Sequence, residues 1–312
     1  MGEDYPRNLL EFEERFGSEE ACRAYLVALR WPAGFICPRC GGHQAWVTKR
    51  NLLVCVQCEY QVSLTAGTIF QDTRKPLRVW FRAMWWLTTQ KNGASALGLQ
   101  RELGLGTYWT AWTWLHKLRR AMVRPGRDRL AGTVEVDETY WGGREEGVVG
   151  RLTHEKALIM IAAQQDGKGI GRIRLGRIPD LTQKRVHGFI AQAVEPGSVV
   201  ITDGLNIYGG LKGYEHRPIV LKREGPDAST WLPCVHRVAS LLKRWLMGTH
   251  QGAVRPEHLD YYLDEFTFRF NRRTSASRGK LFYRLMQQAV QTEPVPYKDL
   301  IKHISPGPNH KQ

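Results

Sequence analysis

The stretch Gly132-Thr-Val-Glu-Val-Asp-Glu-Thr-Tyr-Trp-Gly-Gly143 decides how the chain is read. Alternation puts Val134 and Val136 on one face and Thr133, Glu135 and Asp137 on the other. That predicts a strand half buried against a core, with Asp137 at its polar end near an open edge. A second run of the same build, Ser198-Val-Val-Ile-Thr-Asp203, also ends in an aspartate, ahead of a turn closed by Gly209 and Gly210. Two carboxylates at strand ends can share a divalent metal if their strands are neighbours.

Around these two runs, Lys156–Ala163 and Gly171–Ile178 read as strands joined by a turn at Gly167-Lys-Gly169. A helix from about Thr182 to Val194 crosses over to the Asp203 strand. Arg217-Pro-Ile-Val-Leu-Lys222 reads as a fifth strand, and long helices follow. This order predicts a mixed α/β sheet with covering helices.

Upstream, Cys37-Pro-Arg-Cys40 and Cys55-Val-Gln-Cys58 stand fourteen residues apart. Two Cys-x2-Cys pairs at hairpin separation supply the four thiolates of a tetrahedral, structural Zn²⁺ site. The competing reading, two redox or disulfide pairs, suits an oxidising compartment. Trp46, Lys49 and Arg50 on the hairpin are placed either to touch nucleic acid or to face solvent. Residues 8–30 read as two short helices broken at Gly17, with Ser18 as N-cap and Cys22 as a core thiol. After Pro76, an early helical residue, Leu77, Trp80, Phe81, Met84 and Leu87 recur at helical spacing and read as core. Two helices flank Leu103-Gly-Leu-Gly-Thr107, the second carrying Lys117, Arg119 and Arg120. Helix, short glycine-containing turn and basic aromatic helix is the helix-turn-helix pattern; a plain packing hairpin would look the same.

The 312 residues carry a net charge of +15. Residues 1–30 hold seven acidic and four basic side chains, which leaves +18 on the rest. A body that basic favours a polyanion, most simply nucleic acid. No apolar run of about 18 residues is present and the start is polar and acidic, so no membrane span and no signal peptide are expected. That points to a cytoplasmic protein, nucleoid-associated when bound to DNA.

Several of these runs carry a resemblance. Ser18-Glu-Glu-Ala-Cys22, Arg30–Cys40, Gly67-Thr-Ile-Phe70, Val136–Gly143, Thr202-Asp-Gly204, His236–Arg244 and Tyr262–Arg273 occur in the order found in insertion-sequence transposases. The chain resembles those that join an N-terminal zinc ribbon to a ribonuclease-H-like DDE catalytic domain. The resemblance implies N-terminal helices over 1–32, a zinc ribbon over 33–66, a helix-turn-helix-like segment over 67–128, a ribonuclease-H-like domain over 129–291 and a loosely ordered tail over 292–312. By the same resemblance Asp137, Asp203 and His236 hold catalytic Mg²⁺ or Mn²⁺, and Lys243 completes the set. Histidine departs from the usual acidic third position. Only two certain carboxylates then remain for hard cations that prefer oxygen, and the preference tilts toward Mn²⁺.

Residues seven apart on a helix share a face about 10.5 Å apart along its axis, so His236 falls near the metal and Lys243 on a DNA phosphate. Glu265 is the rival third carboxylate, although Arg269 at i+4 offers it a salt bridge. Glu135 and Glu138 read as support or as solvent-facing. Arg244, Arg269, Arg272 and Arg273, with Lys117, Arg119 and Arg120, are the expected contacts to double-stranded DNA. The activity implied is cleavage and strand transfer at terminal inverted repeats by a homo-oligomer assembled on DNA. A non-catalytic DNA-binding regulator, an inactive relic, and a nuclease without strand transfer are the alternatives.

Overall fold

The computed structural model describes residues 3–124, 126–143, 156–219 and 231–300. They fall into two compact units, Met1–Arg124 with Ser275–Leu300, and Pro125–Thr274.

The first unit begins with helices α1 (Leu9–Arg15) and α2 (Glu19–Arg30). Asn8 and Ser18 cap them through side-chain oxygens that accept from Glu11 N and Ala21 N. Strands β1 (Ala45–Val47), β2 (Leu52–Cys55) and β3 (Gln61–Ser63) form an antiparallel ribbon. Arg30 donates to the carbonyls of Ser63, Leu64 and Ala66, which ties α2 to the end of that ribbon. Helix α3 (Leu77–Thr89) starts one residue past Pro76, which stands at the N-cap and not inside the first turn. Proline cannot cap through its side chain. Glu19 does so from α2, its two oxygens accepting from Leu77 N at 2.8 Å and Arg78 N at 3.1 Å.

The expected stripe Leu77, Trp80, Phe81, Met84 and Leu87 is buried throughout. Helices α4 (Ala96–Leu103) and α5 (Tyr108–Ala121) are joined through Gly104, whose left-handed φ of 59° ends α4. Trp80 stacks on Trp114 of α5 at 3.7 Å. Helix α9 (Arg278–Ala289), placed by the sequence reading inside 129–291, packs in this unit, with Phe282 against Phe12, Phe16, Tyr25, Phe81 and Trp85. The stretch expected to be a loose tail is ordered as far as the short helix α10 (Tyr297–Leu300), whose Leu300 is buried. The rest of that expected tail, 301–312, lies outside the described residues.

The second unit is built on strands β4 (Thr133–Trp141), β5 (Ala157–Asp166), β6 (Gly169–Ile178), β7 (Val199–Asp203) and β8 (Glu215–Ile219). Their order is β6-β5-β4-β7-β8. The first three pair antiparallel, β7 lies parallel to β4, and β8 parallel to β7. The crossover through α6 (Gln183–Ala193) therefore makes the two aspartate-bearing strands neighbours. The fifth strand begins two residues earlier than expected, and its expected end at residues 220–222 lies outside the described residues.

Alternation along β4 sorts the two faces. Val134, Val136, Leu158, Met160, Ala162 and Val200 form a core with Val186 and Ile190 of α6. Ile159, Ile161 and Ala163 are equally buried on the other side, where α7 (Pro233–His250) covers β4 and β5. With both faces covered, β5 is buried continuously from Ala157 to Ala163.

Helix α8 (Leu259–Phe270) packs along β6 and delivers Asn271 to that edge strand. Asn271 Oδ1 accepts from Ile173 N at 2.7 Å, and its Nδ2 donates to Ile173 O at 3.1 Å, so one side chain stands in for a missing strand. Ile173 is fully buried. Asn271→Ala is therefore expected to cost about 1–2 kcal/mol in denaturant unfolding, because Ile173 N loses its partner while Ile173 O keeps the bond from Arg174. Asn271→Asp should cost a similar amount, since a carboxylate keeps the acceptor and loses the donor. A neutral result for either substitution rejects the edge-capping role.

Candidate functional site: a carboxylate and histidine cleft and a four-thiol centre

Register places the two aspartates. Thr133, Val134 and Glu135 pair with Val199, Val200 and Ile201, and Asp137 and Asp203 each stand two residues past the last of these pairs. The strand does not end at Asp137 as expected. It runs on to Trp141, and the opening beside Asp137 arises because the parallel pairing with β7 stops. Beyond β7 the chain turns sharply, and Asp203 Oδ1 accepts from Leu205 N at 3.3 Å.

His236 reaches this place through an unusual helix start. The N-cap of α7 is Leu232, followed by Pro233, and neither side chain can accept a hydrogen bond. Glu135 supplies the acceptor from β4. Its Oε2 accepts from Cys234 N at 2.8 Å and Val235 N at 3.0 Å, while Oε1 accepts from Gln165 Nε2 at 2.9 Å. Glu135 is fully buried, and a carboxylate there suits the positive end of the helix. Desolvation, with the Glu135 carboxylate alongside, pushes the Cys234 thiol up to about 12 and keeps it protonated. Of the two readings offered for Glu135, support is the one the structure shows.

The consequence is metric. One residue beyond Val235, His236 Nδ1 lies 4.0 Å from Oδ2 of Asp137, which stands two residues beyond Glu135. A cleft of about 450 Å³ opens there, lined by Asp137, Glu138, Thr139 and Ile161 from the sheet and by Val235, His236, Ala239, Ser240 and Lys243 from α7. The α7 residues follow the i, i+4, i+7 spacing of one helix face, with small residues between His236 and Lys243. Asp203 does not line this cleft. Beneath it, buried Tyr208 donates to Glu138 Oε2 at 2.7 Å. Its phenol is pushed up first by burial, then by Glu138, Asp137 and Asp203 together. Three carboxylates thus bear on one buried hydroxyl, which the sequence reading did not single out.

Other expected site residues lie elsewhere. Glu265 is fully buried and holds Arg269 Nε at 2.8 Å, so both are committed to an internal ion pair on α8. Arg119 is 1% exposed and lies on the inward stripe of α5 with Trp112 and Leu115, which removes it from any DNA surface. Lys117 and Arg120 are half-buried, and burial draws the Lys117 ammonium down. What α5 exposes is Tyr108 and Trp109. Arg273 donates to the carbonyls of Ile170 and Gly171 at the β6 edge, and Arg272 lies over the Phe268 ring at 4.0 Å. Lys243 and Arg244 are exposed.

The four ribbon cysteines converge. Their sulfurs lie within 4.8 Å of one another, with Cys37–Cys58 at 3.7 Å and Cys40–Cys55 at 3.6 Å. A tetrahedral Zn²⁺ with Zn–S near 2.3 Å needs sulfurs about 3.8 Å apart, so the thiols fit it. Each pair sits on a matching knuckle. Gly41 N and Glu59 N donate back to Cys37 O and Cys55 O, and both of these donors adopt positive φ. Among the described residues, these thiols are the one set of three or more metal-ligating side chains gathered so closely.

Comparison with known proteins agrees with this layout. Residues 17–61 match the transposase zinc-ribbon domain, and residues 129–271 match the ISXO2-like transposase domain. This chain pairs a transposase zinc ribbon with an ISXO2-like transposase domain. A relative from Halobacterium salinarum, described as an uncharacterized protein in transposable element ISH50, is 27% identical over 277 residues, covering 81% of this chain and 91% of the relative. A solved structure, the simian T-cell lymphotropic virus intasome in complex with PP2A regulatory subunit B56 gamma, is 15% identical, covering 63% of this chain and 72% of that one at a TM-score of 0.32. Among the described residues, no helix is long and apolar enough to cross a membrane.

Two outcomes follow. Metal analysis is expected to return one zinc per chain and to lose it in Cys40→Ser, and retention of zinc by that variant would reject the four-thiol centre. Glu135→Ala leaves two buried N–H groups unpaired and should cost about 2–4 kcal/mol in denaturant unfolding, with Glu135→Gln costing less. Equal stability of wild type and Glu135→Ala would show that α7 is not anchored through this carboxylate.

Proposed function

We propose that the protein is a DNA transposase that binds the terminal inverted repeats of its element, cleaves DNA there and joins the freed 3′ end to target DNA. One arrangement carries this reading: Asp137 and Asp203 on neighbouring parallel strands, each two residues past their last paired position, His236 4.0 Å from Asp137, and Lys243 two turns further along the same cleft.

The donor set fits a divalent cation in its chemistry. Two aspartates stand where the β4–β7 pairing has stopped, an imidazole lies beside the first, and Glu138, Asp137 and Asp203 crowd Tyr208 with like charge that a cation would offset. Asp137, Asp203 and His236 would hold Mg²⁺ or Mn²⁺. When bound, such ions activate a water or a 3′-hydroxyl and stabilise the leaving oxygen of an in-line displacement. The protein's own part is placement. Glu135 holds α7 so that His236 and Lys243 face the strand bearing Asp137. Tyr208 donates to Glu138 and keeps that side chain turned into the unit. Lys243 and Arg244 hold backbone phosphates, which position DNA without reading its sequence.

End recognition falls to the first unit, through α5 with its exposed Tyr108 and Trp109, and through the zinc ribbon. A homo-oligomer that pairs two DNA ends follows from the reaction, and the protein works in the cytoplasm at the nucleoid. Purified protein with a labelled duplex carrying the element's end, plus Mg²⁺ or Mn²⁺, is expected to give cleaved and joined products. Asp137→Ala, Asp203→Ala and His236→Ala should each abolish both. Salt-dependent binding with no product from wild type would favour a DNA-binding regulator, and cleavage without joining a plain nuclease.

A further inference from the structure

The second unit carries another cavity, of about 540 Å³, beside the β6 edge and α6. Its charged lining is Arg127, Arg174, Arg177, Lys184, Arg185 and Asp260, five cations against one carboxylate. Asp260 is already spent on Arg177, whose Nε lies 3.3 Å from Oδ2. None of these residues lines the Asp137 cleft.

Two observations set this charge at a cost to the free protein. Arg174 is 6% exposed, and the bonds it makes go to the carbonyls of Ile173 and Asp128. Burial, then the like charges of Arg127 and Arg172, draw its guanidinium down to about 10. A buried cation crowded by cations weakens the free protein, and an anion relieves it. The second observation is on α6. Lys184 and Arg185 occupy its first turn, which holds no acidic residue, and the N-cap Thr182 makes no capping bond to the helix. Thr182 turns instead to Asp180, donating through Oγ1 at 2.6 Å. Cations at the positive end of an eleven-residue helix oppose its dipole and cost stability. Both are exposed, so burial does not require them.

We infer that this groove is a second DNA-binding surface, taking the phosphate backbone of duplex DNA away from the reacting phosphodiester. Rows of phosphates suit it better than a small anion, because its five cations come from separate places, Arg127 ahead of β4, Arg174 and Arg177 on β6, and Lys184 and Arg185 at the start of α6, around a cavity of about 540 Å³. Contacts of this kind add affinity and orientation but no sequence preference. The inference rests on the transposase reading and extends it from the cut site to the path of the duplex.

The test uses the full chain and a duplex carrying the element's end, measuring affinity against salt for wild type, Lys184→Glu/Arg185→Glu and a control, Lys168→Glu/Lys212→Glu. The control changes net charge equally at exposed sites of the same unit outside the groove. The groove variant should lose about 2 units from the slope of log K against log salt, one per phosphate contact, while the control keeps the wild-type slope. Its melting temperature should hold or rise, since acids now sit at the helix start. An equal change of slope in variant and control, or no change in either, overturns the groove. A lowered melting temperature with an unchanged slope does so too, by showing that the two cations serve the fold. Wild type that binds no duplex removes the transposase reading, and the groove with it.

Discussion

The cleft depends on one buried carboxylate. Glu135 spends both oxygens on positioning, one on Gln165 and the other on the first free N–H groups of α7. No residue at the start of α7 can do this work, because leucine and proline occupy the capping positions. The strand therefore caps the helix, and the distance between Asp137 and His236 follows from two short covalent steps on either side of that bond. Glu19 does the same for α3, whose N-cap is Pro76. In both units a helix that lacks a cap of its own is pinned by a glutamate from an earlier element.

A carboxylate in this role solves two problems together. Left unpaired, it would be costly to bury, and so would the N–H groups it meets. Paired, they form charge-assisted hydrogen bonds in a place where water does not compete. Burial, with the same carboxylate alongside, raises the Cys234 thiol, so this cysteine stays protonated. Tyr208 repeats the pattern on the opposite side of β4, holding Glu138 from within the core.

Much of this was legible in the amino-acid order, for physical reasons. Alternation along 133–137 separates the valines from Glu135 and Asp137, and the seven-residue interval from His236 to Lys243 keeps them on one helix face. Cys-x2-Cys spacing is local, so the thiol centre could be read directly. What could not be read were bonds between distant positions. Nothing around Glu135 announces that its partners are 99 and 100 residues away. The basic residues were harder, since charge does not say which way a side chain faces. Arg119 could have been set aside from sequence, because it continues the Trp112–Leu115 stripe at helical spacing. Arg273 could not, because its acceptors belong to a strand a hundred residues earlier.

The remote cap also bears on how the chain acquires its shape during synthesis. Strand β4 leaves the ribosome about a hundred residues before α7, and the intervening chain must fold its hairpin, crossover and parallel strand first. Contacts of such long sequence separation form late, once the loops between them have closed. Until then the helix that carries His236 and Lys243 has no anchor, and the cleft does not exist. The cleft therefore arrives with the packing of α7, not with the synthesis of Asp137.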